Sequence, residues 1–116
     1  MAKPLLGTTW RVKEDSGNSP FGGNDTLKIT AKSGSSVNVA HFNNLTSSTT
    51  NYTGTHDSTR DMVTVDVGGE HWELILSKTK TVTENGGPVQ KNALYGMSWT
   101  NTGPDAMGSW VCDPQN

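Results

Sequence analysis

Residues 62–76 read Met62-Val63-Thr64-Val65-Asp66-Val67-Gly68-Gly69-Glu70-His71-Trp72-Glu73-Leu74-Ile75-Leu76. Val63, Val65 and Val67 alternate with Thr64 and Asp66, and beyond the glycines Trp72, Leu74 and Leu76 alternate with Glu73 and Ser77. Side chains of a strand point alternately to its two faces, so each run presents one apolar and one polar face. Gly68-Gly69 is a two-residue connection that tolerates the positive φ of a primed hairpin turn. The stretch is therefore predicted to be an antiparallel hairpin, with His71 on the face opposite Trp72.

The same period recurs outward in both directions. Thr8–Glu14 places Trp10 and Val12 on one face, and the breaker-rich Gly17–Asn24 reads as a loop. Thr26–Lys32 alternates Leu27, Ile29 and Ala31 with polar residues, Ser33-Gly34-Ser35 turns the chain, and Val37 and Val39 open a run that reaches Phe42. Thr50–His56 follows, with Asp57-Ser58-Thr59-Arg60 as the turn into the central hairpin. On the C-terminal side, Leu94–Thr100 and Met107–Cys112 supply two strands joined by Asn101-Thr102-Gly103-Pro104-Asp105. Between them Lys78–Lys91, broken by Asn85-Gly86-Gly87-Pro88, reads as either a long hairpin loop or irregular strand extensions. No helix of two turns has a place.

Eight consecutive antiparallel strands laid flat would expose long edges, and closure into a barrel removes them. The expected fold is all-β: an eight-stranded antiparallel up-and-down barrel spanning 1–116 as one domain, with a two-sheet β-sandwich as the alternative. Composition agrees. Thr, Ser, Asn and Gly make up 50 of 116 residues, while Leu, Ile, Val and Phe make up only 20. A net charge of -2 argues against disorder despite the thin core, and the missing burial predicts a homo-oligomer, a dimer or tetramer. The nine basic residues are mixed with eleven acidic ones without a cluster, so nucleic acid is not an expected partner. No apolar run approaches the roughly 18 to 20 residues of a membrane helix, and no membrane insertion is expected.

Met1–Leu6 lacks the apolar stretch of a secretory leader, so the chain is expected to be cytoplasmic or secreted after leader removal. A single cysteine, Cys112, excludes an internal disulfide framework; it is read first as an internal structural residue and otherwise as a link between subunits. Three Asn-x-Thr sequons, at Asn24, Asn44 and Asn51, are what chance supplies in a chain so rich in Asn and Thr.

Gly7-Thr8-Thr9-Trp10 resembles the Gly-x-Trp opening of the lipocalin and avidin families, with one extra residue. Asp25-Thr26-Leu27-Lys28-Ile29-Thr30-Ala31 is similar to the second strand of the avidin and streptavidin family, and Thr53-Gly54-Thr55-His56-Asp57-Ser58 resembles the end of its fourth. The resemblance covers about half the chain and implies an avidin-like barrel. It also implies a biotin site with a polar residue two positions after the first-strand Trp, where this chain has Val12, which cannot accept ureido hydrogen bonds. Met97-Ser98-Trp99 is only a loose counterpart of the family's sixth-strand T-x-x-W. The chain looks more like the sugar-binding proteins built on such a barrel.

Sugars are held by stacking their C–H faces on an aromatic ring and by hydrogen bonds from hydroxyls to amides and carboxylates. Tyr95, Met97 and Trp99 share one strand face and lead into Asn101 and Asp105, and His56 beside Asp57 offers a second polar pair or a plain turn. Trp72 and Trp110 are further candidates, each competing with a core role. His41, His56 and His71 are not spaced as metal ligands, and no metal or other cofactor is expected. No nucleophile elbow, zincin motif or paired acid and base marks an enzyme. The expected function is a non-enzymatic lectin for glycans or glycoproteins, with a site at the barrel mouth or loops. The alternative is an avidin-like or lipocalin-like binder of biotin or another small molecule inside the barrel.

Overall fold

The computed structural model describes the backbone of residues 4–84, 87–100 and 103–115, and side chains in 4–76, 93–99 and 108–115. Eight strands, β1 (Thr9–Gly17), β2 (Thr26–Ser33), β3 (Ser36–Asn43), β4 (Ser48–Asp57), β5 (Met62–Val67), β6 (Glu70–Glu84), β7 (Gly87–Thr100) and β8 (Gly103–Gln115), follow in chain order. Each pairs antiparallel with its neighbours and β8 closes on β1, so the sheet is a closed up-and-down barrel rather than a sandwich. Gly68 and Gly69 both have positive φ, 56° and 80°, as a primed turn requires.

Strand alternation decides the inside. Trp10, Val12, Leu27, Ile29, Val37, Val39, Val63, Val65, Trp72, Leu74, Leu94, Trp110 and Cys112 are buried in one core. At full burial such side chains contribute roughly 1.5–3 kcal/mol each before chain entropy is counted. Trp110 lies across Gly96, where a side chain would stand within 2.2 Å of the indole. Residues 78–84 and 87–91 lie within strand extensions: β6 and β7 continue as a ladder from Lys80↔Lys91 to Glu84↔Gly87 after a register shift. β8 begins at Gly103, so Gly103-Pro104-Asp105 belongs to a strand and not to the loop its Gly-Pro pair suggested.

Up-and-down topology gives the barrel two ends. The β1–β2, β3–β4, β5–β6 and β7–β8 connections lie at one, here the mouth; β2–β3, β4–β5 and β6–β7 lie at the other. The segment before β1 covers the far end: Leu5 is buried, its carbonyl accepts from Trp10 Nε1 at 3.3 Å, and Gly7 donates to the Ile29 carbonyl at 2.8 Å.

Candidate functional site

The mouth is built around the β1–β2 loop. β1 pairs with β2 over only three residues, Thr9 to Arg11, and beyond a bulge after Val12 it stays with β8 alone. The gap this leaves is filled by residues 18–25. Ser19 Oγ accepts from the Phe21 amide at 3.2 Å and donates to its carbonyl at 2.9 Å, making a tight local turn. The loop rests against Gly108, where a Cβ would stand 2.4 Å from the Ser19 nitrogen. Phe21 enters the barrel and is 1% exposed, edge-to-face with His41, Trp72 and Trp110 at centroid distances of 4.7, 5.1 and 4.8 Å.

Asp25 fastens this loop. One carboxylate oxygen meets His41 Nε2 at 2.7 Å and the Gly22 amide at 2.9 Å; the other accepts from the Asn44 amide at 2.9 Å. Both side chains are almost wholly buried. Burial alone would raise the Asp25 carboxyl, but the Asn44 amide, His41, the Gly22 amide and the His41 charge outweigh it and hold it below the ordinary 3.8.

A second cluster lies on the outer face near the same end. Register places Asp66 beside His71 and His71 beside Trp99, across β5, β6 and β7. His71 Nδ1 lies 2.8 Å from Asp66 Oδ1 and Nε2 lies 3.2 Å from Glu73 Oε2. When protonated, His71 has a donor on each ring nitrogen, one for each of these carboxylates. Burial alone would lower its pKa, but the bonds and charges of Asp66 and Glu73 raise it above 6.5. The half-buried Trp99 ring sits 4.7 Å from the imidazole, tilted by 46°. Among the described residues these bonds engage one oxygen of each carboxylate and leave Asp66 Oδ2 and Glu73 Oε1 as open acceptors. Toward the far end the same face turns apolar, with exposed Ile75 beside Tyr95 and exposed Met97.

The candidates named from sequence divide four ways. Trp99 and Tyr95 lie on the outer face of β7. Trp72 and Trp110 are buried inside, against Phe21. His56 and Asp57 lie at the far end, because β4 runs away from the mouth while β7 runs toward it, so they do not join Trp99 in one site. There His56 Nε2 meets Asp61 Oδ1 at 2.9 Å and Asp57 caps its turn by accepting from Thr59 and Arg60 amides. Asn101 lies outside the described residues, and Asp105 is placed in β8 by its backbone alone. His41, His56 and His71 sit on three different strands, and among the described residues no group of three metal-ligand side chains assembles.

Sequence reading did not single out Phe21, Asp25, Asp66 or Glu73 as site residues. Asp66 and Glu73 had a usable signal, since they share the polar face of the central hairpin with His71. Comparison with protein-family models, curated proteins and solved structures finds no match to this chain.

Proposed function

We propose that the protein is a non-enzymatic lectin whose glycan site is the outer-face cluster near the mouth, with Trp99 as the stacking ring and Asp66 and Glu73 as hydroxyl acceptors. The observation that carries this reading is the His71 ring held between two carboxylates and 4.7 Å from the half-buried Trp99 indole. An aromatic plate beside pre-oriented acceptors is the pairing a sugar needs, and a shallow polar site gains most from groups already fixed in place. Trp99 keeps the role read from sequence, and its polar partners become Asp66, His71 and Glu73. The likeness of the first, second and fourth strands to the avidin and streptavidin family supports an avidin-like barrel adapted to sugars.

We also infer a homo-oligomer formed by copies meeting through Ile75, Tyr95 and Met97, neighbours across β6 and β7 on one exposed face. Such assembly adds burial to a thin core and multiplies weak sugar sites by avidity. A glycan array on the wild-type protein, repeated with Trp99→Ala, tests the lectin reading; sedimentation with and without Met97→Lys tests the assembly. Absence of binding to any glycan, or binding unchanged in folded Trp99→Ala, overturns the first. A monomer at micromolar concentration overturns the second.

A further inference from the structure

The loop between β1 and β2 carries one large apolar side chain, Phe21, and delivers it into the barrel. What it meets there is not a purely apolar pocket. Trp72 Nε1, Trp110 Nε1 and Ser98 Oγ are buried without a hydrogen-bond partner among the described residues. They come from three adjacent strands: Ser98 is the register partner of both Trp72 on β6 and Gly108 on β8, and Trp110 follows two residues after Gly108. Both indoles touch the Phe21 ring edge-to-face. A hydrocarbon ring offers these donors at most a weak N–H···π contact, and a buried donor without a full hydrogen bond is destabilising.

Residues 18–25 belong to no strand and are held by backbone bonds at Val12, by the Ser19 turn and by the Asp25 latch. Gly22 and Gly23 follow Phe21, and the Gly22 amide is one of the groups that the Asp25 latch holds.

We propose that Phe21 occupies a binding site of its own chain: displacing it opens an interior pocket for a small neutral aromatic molecule bearing a carbonyl acceptor. His41, Trp72 and Trp110 form an aromatic cage for a flat ring, and the two indole N–H groups with the Ser98 hydroxyl supply donors for the acceptor. The pocket is separate from the outer-face cluster and does not depend on the lectin reading. Because the stopper competes intramolecularly, the wild-type protein binds weakly and its affinity reports the fraction of open chains.

The test uses benzamide as probe and toluene as its acceptor-free counterpart. Calorimetric titration of Phe21→Ala is expected to show benzamide bound about tenfold or more tighter than by wild type, and tighter than toluene. Adding Ser98→Ala should weaken benzamide and leave toluene unchanged. A folded Phe21→Ala that prefers toluene, or binds neither, overturns the proposal and leaves Phe21 a core residue over donors served by water. Should Phe21→Ala fail to fold, the indole N–H resonances of Trp72 and Trp110 in the wild-type protein, titrated with benzamide to millimolar concentration, decide the matter. A downfield shift of both supports the pocket, and no shift overturns it.

Discussion

His41 with Asp25 and His71 with Asp66 and Glu73 are the same chemistry in opposite surroundings. The first pair is 2.7 Å apart and almost wholly buried, and its carboxylate also holds the Gly22 and Asn44 amides. The second is spread over the outside, with Asp66 69% exposed. Buried ion pairs gain little net stability from the pair itself, yet losing one partner strands the other in a medium that cannot solvate it. Exposed pairs contribute little in either direction. The inner pair is therefore structural, and the outer cluster contributes little to the fold.

The sharpest break of this comparison is a matched pair of substitutions. Asp25→Ala leaves His41 and two amides without their acceptor and should cost about 3–5 kcal/mol in urea denaturation. Asp66→Ala should cost under about 1 kcal/mol. Equal costs would mean that burial does not separate the two clusters.

Acid should act on the inner pair. The folded Asp25 carboxyl lies below its ordinary 3.8, so its contribution is present above that pH and is lost as pH falls through the lowered folded value. Stability of the wild-type protein should drop in that window more steeply than that of Asp25→Asn. Parallel curves for the two proteins would remove the latch from the account of acid sensitivity.

Trp99→Ala sharpens the other side. The ring is half-buried on the outer face, so its loss should reduce glycan affinity about tenfold or more, with a stability change of about 1 kcal/mol. An unfolded variant would make Trp99 part of the packing after all.

The barrel was legible because Val63, Val65, Trp72 and Leu74 repeat at period two, and that period also put His71 outside. The β6–β7 extension was not, since Ser77-Lys78-Thr79-Lys80-Thr81 offers no apolar alternation to separate strand from loop. Phe21 left no periodic signal: one ring between Pro20 and Gly22 shows that something in the loop is buried, and the strands flanking it decide where. Asp25 and His41 are sixteen residues apart and meet only because β2 and β3 are paired and the loop folds back. The outer cluster could be read from the hairpin register, whereas Trp99 joins it only through the β6–β7 register, which the polar extension obscured.

The smallest expected effect concerns His71. Its folded pKa is raised above 6.5, so its stabilising contribution is complete below that pH and fades as pH rises through the raised folded value. Exposure and salt screening keep this change small in denaturation curves. Glycan binding reads it more directly, because loss of the proton breaks one of the two bonds that hold Asp66 and Glu73 in place beside Trp99. Wild-type affinity should decline across that alkaline step. His71→Gln, which has a donor amide but no titrating proton, should bind more weakly by a few-fold and without the step. A pH-dependent decline that survives in His71→Gln would assign the titration to another group and detach His71 from the proposed sugar site.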